Sequence, residues 1–176
     1  MRTRDWYFQG WERGPDGSFR YTGEYYTLPA GKPKTVTLCL GGALCAVYLL
    51  TALLPSEGGM WRIAAVPQLL EIIPLIYLVI GAVCLLRADD PMTFRDWYAS
   101  WRRMKSSAAW SLVFSAAMTL AELAFLFAAK GYRLGPELLY HARVLCCAAL
   151  SFCLHRFLHM HPCAQSVSEQ GADRNV

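Results

Sequence analysis

Four long stretches of the chain carry almost no charge, and the charged residues crowd into the segments between them. A soluble helix keeps one face wet by interleaving polar positions at helical spacing, and these stretches do not. Crossing the hydrocarbon core of a bilayer takes roughly 20 apolar residues at about 1.5 Å each. The pattern predicts four transmembrane helices, over residues 35–54, 63–86, 108–129 and 138–158. The first stops at Pro55, the second lies between Arg62 and Arg87, and the third between Lys105 and Lys130. The fourth contains His141, Arg143, His155 and Arg156. The expected fold class is an all-α membrane protein, an antiparallel four-helix bundle over residues 35–160. The connections after the first and third spans are short, so consecutive helices are expected to be antiparallel neighbours.

Composition agrees with this. Of 176 residues, 55% are hydrophobic and 17% charged, against about 25% charged in an ordinary soluble domain. Orientation follows from Lys and Arg alone. Six precede the first span (Arg2, Arg4, Arg13, Arg20, Lys32, Lys34), and five separate spans two and three (Arg87, Arg95, Arg102, Arg103, Lys105). Arg156 and Arg174 fall on the same side, leaving Arg62, Lys130, Arg133 and Arg143 for the other. The bias predicts a multi-pass protein of the plasma membrane with both termini in the cytoplasm. The first 34 residues lack the apolar run of an export signal.

The cytoplasmic segments differ in character. Residues 1–34 are aromatic and basic. Tyr7 to Arg13 and Ser18 to Tyr26 flank the turn sequence Gly14-Pro15-Asp16-Gly17, which predicts a short β-hairpin. Two strands alone are marginal in water, so the hairpin should pack on the membrane surface or on a protein partner. Between spans two and three, Phe94, Trp97, Tyr98, Trp101 and Met104 recur at helical spacing beside Arg102, Arg103 and Lys105. This predicts an interfacial amphipathic helix over residues 94–105, begun by a capping box of Thr93 and Asp96. It would anchor to anionic lipid headgroups or receive a protein partner, as would residues 1–30. Residues 161–176 are expected to be a disordered tail. The string Arg4-Asp5-Trp6-Tyr7 recurs as Arg95-Asp96-Trp97-Tyr98, through duplication of a helical pair or by coincidence in two aromatic segments.

Ionisable side chains inside spans are costly and are therefore functional candidates. Glu71 sits about 13 Å from the outer end of span two and Glu122 about 12 Å from that of span three. Tyr48 in span one is about 10 Å deep, and His141 and Arg143 enter span four from the same end. These five residues form an expected polar layer in the outer half of the bilayer. Ser111, Ser115, Thr119 and Glu122 make a stripe along span three, and Pro67, Gln68, Glu71 and Pro74 share a face of span two. In one reading, Glu71 or Glu122 pairs with Arg143 to lock the bundle. In the other, the layer is a substrate, ion or proton site in a small transporter or channel.

His155, His159, His161 and Cys163 cluster at the end of span four and could offer nitrogen and sulfur ligands to zinc, copper or haem iron. Their spacing matches no zinc signature, and histidines at a helix C-terminus also suit its dipole. Six of the seven cysteines lie in apolar stretches without a CxxC pair, which fits packing rather than a disulfide framework. There is no Walker loop, GxGxxG, GxSxG or HExxH, and the basic residues are juxtamembrane, which argues against nucleic acid. The expectation is a non-catalytic accessory, sensory or assembly subunit without a cofactor. A transporter and a metal- or haem-binding protein are the alternatives.

Overall fold

The computed structural model describes residues 10–13, 15, 17–53, 56–128 and 133–167. In order these form β1 (Trp11–Arg13), β2 (Phe19–Tyr21), β3 (Glu24–Thr27), α1 (Pro33–Leu53), the short α2 (Glu57–Met60) and α3 (Arg62–Arg87). There follow β4 (Met92–Thr93), α4 (Phe94–Trp97), a π-helical turn (Tyr98–Arg102), α5 (Arg103–Ala128), α6 (Leu134–Met160) and β5 (Ala164–Val167). Four helical stretches are long and apolar enough to cross a membrane. The shortest, α1, has 21 residues and so is about 31 Å long, close to the ~30 Å of a hydrocarbon core.

Each long helix buries one stripe. In α6 the buried residues are Glu137, Tyr140, Val144, Cys147, Ser151, Leu154 and Leu158, an alternation of three and four that keeps them on one face. In α5 the stripe is small and hydroxylated, with Ser107, Ala108, Ser111 and Ser115 buried, so neighbouring backbones can approach closely. At Gly81 of α3 a Cβ would stand 2.7 Å from Met104 Cγ and 3.3 Å from the Ser100 carbonyl. Only glycine fits that crossing.

The helices form a row, α3 against α5, α5 against α6, and α6 against α1. The expected close pairing of spans one and two is slight, because α1 rests mainly on α6. Between α1 and α3 lies an apolar cleft of about 820 Å³ with Tyr48 and Gln68 in its wall. The chain joining these helices does not merely bridge them. Its α2 turn folds over the bundle end and touches α3, α5 and α6.

The other end is closed by strands. β3 is central in a three-stranded antiparallel sheet, with Tyr25 opposite Thr93 of β4 and Ser166 of β5. β1 and β2 pair separately, with Glu12 opposite Arg20. Two expectations change here. Residues 164–167 are a strand and not disordered tail, because β3 offers them a partner edge; residues 168–176 lie outside the described residues. The stretch 18–26, expected as one hairpin strand, is divided between β2 and β3, and residues 7–9 of its partner are not described.

The segment 94–105 also differs from expectation. The chain is helical from Phe94 to Ala128 without a break, so α4 and the π-turn lead directly into the third span. Trp101 and Met104 are buried in the bundle core, and Trp97 stacks on Tyr26 of β3 at 4.4 Å with planes 10° apart. Phe94, Trp97 and Tyr98 of the same face are half-buried beside the strand cap. Tyr21 ties the hairpin to this point, its hydroxyl accepting from the Phe94 amide at 3.1 Å and donating to the Glu24 carbonyl at 3.0 Å. Lys34 donates to the carbonyls of Leu86 and Ala88, each at 3.2 Å, placing a cation where the α3 dipole is negative.

Candidate functional site

The densest buried polar group lies where α2 meets α5 and α6, at the end opposite the strands. Glu137, in the first turn of α6, accepts from the Ser56 hydroxyl at 2.7 Å, the Glu57 amide at 2.8 Å and the Gly58 amide at 3.1 Å. Ser56 Oγ in turn accepts from the Gly59 amide at 2.9 Å. The carboxyl of one helix thus satisfies the free N–H groups that begin another turn of chain. Glycine is required where this turn comes down. A Cβ at Gly58 would collide with the Glu122 carboxyl, and one at Gly59 would stand 2.9 Å from the Tyr140 ring.

Glu122 is fully enclosed and turns its carboxyl towards that of Glu137. Neither of its oxygens accepts from a hydroxyl or amide among the described residues. Both carboxyls approach the Gly58 turn, and in a weakly polar interior two like charges so placed would repel strongly.

Deeper in the bundle, Glu71 of α3 accepts on one oxygen from Ser111 at 2.6 Å and Ser115 at 2.9 Å, both on α5. Its other oxygen is buried without a partner among the described residues. Between the two acidic groups, the Tyr140 hydroxyl donates to Gln68 Oε1 at 3.1 Å, and the Tyr48 hydroxyl donates to the Gln68 carbonyl at 2.6 Å. Side chains from α1, α3, α5 and α6 therefore meet in one polar interior. The clefts of about 640, 820 and 430 Å³ among the described residues are lined by other side chains.

Of the five residues expected in the polar layer, Tyr48, Glu71 and Glu122 face the interior. The expected ion pair to Arg143 does not form. Arg143 donates instead to the Leu50 carbonyl at 2.6 Å and the Leu139 carbonyl at 3.2 Å, because the end of α1 leaves carbonyls without helical partners. His141 is half-buried, and its Nδ1 has no partner among the described residues. Thr119 bonds back to the Ser115 carbonyl at 2.9 Å.

Among the expected interfacial anchors, Arg102 lies over the Tyr98 ring at 4.8 Å and Arg103 over Tyr77 at 5.7 Å. Lys105 is 3.1 Å from His159 Nδ1, and its carbonyl is 3.3 Å from His155 Nδ1. His161 Nδ1 meets the Phe157 carbonyl at 3.0 Å. The suggested metal group of His155, His159, His161 and Cys163 does not assemble, and no three His, Cys, Asp or Glu among the described residues are placed to hold an ion. Burial pushes the Cys163 thiol up to about 11.

Glu137, Ser56, Gly58, Gly59 and Tyr140 were not singled out from the sequence. The available signals were the Gly58-Gly59 pair, which marks a close backbone approach, and the spacing of Glu137 and Tyr140 on the face that continues through Val144 and Cys147. The chain matches no family model, and neither the curated proteins nor the solved structures contain a match.

Proposed function

We propose that this is a non-catalytic integral membrane protein acting as an accessory, sensory or assembly subunit, with the strand-capped end in the cytoplasm of a plasma-membrane protein. The Lys and Arg bias supports that orientation. One observation carries the role. The intramembrane acids are enclosed, and Glu71 and Glu137 are each bonded to a neighbouring element, so they serve to fix the bundle. What is left for recognition is the capped end, with the β1–β2 pair and the sheet in which β3 joins β4 and β5. The test is purification of the full chain from native membranes. A stoichiometric partner, lost on deletion of residues 1–30 with the bundle still folded, supports the role; a chain that purifies alone and functions alone removes it.

A second reading, a small proton-coupled transporter, is favoured by the enclosed carboxyls of Glu122 and Glu137 converging on one turn of chain. Proteoliposomes carrying the wild type, Glu71→Gln or Glu122→Gln test it. Proton-dependent flux abolished by either substitution would replace the accessory reading; absence of flux in all three leaves the acids structural.

A further inference from the structure

A cleft of about 640 Å³ runs down the outer face between α3 and α5. Its chemistry is graded along its length. At the capped end stand Arg102, Arg103 and Ser106; further along, Ile73, Trp110 and Phe114 form the walls. No carboxylate lines it. Arg103 and Phe114 are separated by three helical turns, about 16 Å along α5, and one leaflet of a hydrocarbon core is about 15 Å deep.

We propose that this cleft is a binding site for one anionic phospholipid. The phosphate is received by the two guanidiniums and the Ser106 hydroxyl, and an acyl chain lies along Trp110 and Phe114. Three features converge on that occupant. Planar guanidiniums suit phosphate oxygens. Tyr98 and Tyr77 lie under Arg102 and Arg103, which holds both cations at the mouth. From its basic mouth to Phe114 the cleft has the depth of one leaflet, and its apolar part begins where the basic part stops. An acidic peptide would match the arginines but would leave the apolar depth empty. The site depends on the bundle lying in a bilayer, and not on the accessory role.

The experiment uses the full chain in nanodiscs containing a small fraction of phosphatidylglycerol or phosphatidylcholine with brominated acyl chains. The emission of Trp110 is isolated by difference from Trp110→Phe, a change at an exposed position. Phosphatidylglycerol is expected to quench Trp110 at lower mole fraction than phosphatidylcholine. The pair Arg102→Gln and Arg103→Gln should raise the fraction needed roughly 10- to 30-fold, given the strength of a juxtamembrane cation at an anionic surface. Arg102→Lys with Arg103→Lys should lie between, which separates lost recognition from lost folding. Excess inorganic phosphate should not relieve the quenching; relief would mean a site for the ion and not for a lipid. Equal quenching by both lipids, unchanged in the glutamine pair, overturns the proposal. Quenching by neither lipid removes it together with the membrane placement.

Discussion

Glu122 and Glu137 sit side by side, but their surroundings assign them different tasks. Glu137 accepts three hydrogen bonds from the α2 turn, and bonds to a charged acceptor are each worth about 1.5–3 kcal/mol. Glu137→Gln puts an amide NH₂ against donors and is expected to cost about 1–3 kcal/mol. That corresponds to about 2–4 °C in thermal midpoint per kcal/mol for a chain of this size, read from unfolding of the purified protein in detergent. Glu122→Gln exchanges a carboxyl with no hydrogen-bond partner among the described residues for an uncharged isostere and should change stability by less than about 1 kcal/mol; a loss as large as that of Glu137→Gln would show that its charge holds the bundle. Cys163 gives a chemical check at the same scale. With its thiol held up at about 11, little thiolate is present near neutral pH, where an ordinary thiol titrates near 8.5. Alkylation at pH 7.5, followed by peptide mass spectrometry, should be on the order of 100-fold slower than for a free thiol and should accelerate as pH rises towards 11.

At the scale of elements, the strand cap depends on Tyr26, which stacks on Trp97 and donates to Glu24 at 2.9 Å. Tyr26→Phe keeps the stacking and should cost about 1 kcal/mol, whereas Tyr26→Ala removes a buried ring at about 3–5 kcal/mol. Limited proteolysis of the capped end ranks the two. Burial, aided by Glu24, raises the Tyr26 hydroxyl from 10.0 to about 12. The fold therefore favours its protonated form, so this contribution is complete below pH 10 and is lost as pH climbs towards 12. The long helices were legible from their charge-free runs, and the Thr93–Asp96 start of α4 from its spacing, with Thr93 Oγ1 accepting from the Asp96 amide at 3.2 Å. The three-stranded sheet was not. Its strands hold two to four residues each, too few for alternation to register, and their partners are distant in sequence. Glu137 was hidden for a local reason. Gly135-Pro136 reads as a loop, yet proline is tolerated in the first turn of a helix, and α6 starts at Leu134.

For the whole molecule, an even number of crossings and the pairing of β3 with β5 put both ends of the described chain on one side. The orientation proposed above makes a direct prediction: Gly135→Cys should react with a membrane-impermeant thiol reagent on intact cells, and Gln165→Cys only after permeabilisation. The reverse pattern would invert the molecule. The row of helices could not be read from the sequence, because short connections limit distance and do not choose which neighbour packs. Arg143 resolves part of that choice by fastening the end of α1 to α6.

The position of β5 has a consequence in time. A membrane chain is made from its N-terminus, so β3 leaves the ribosome long before the strand that completes its sheet. Until the fourth helix and residues 164–167 have been synthesised, β3 has only the two-residue β4 beside it, and its second edge stays open. β5 therefore acts as a completion mark: a finished cap exists only on a chain that has been translated through α6 and β5.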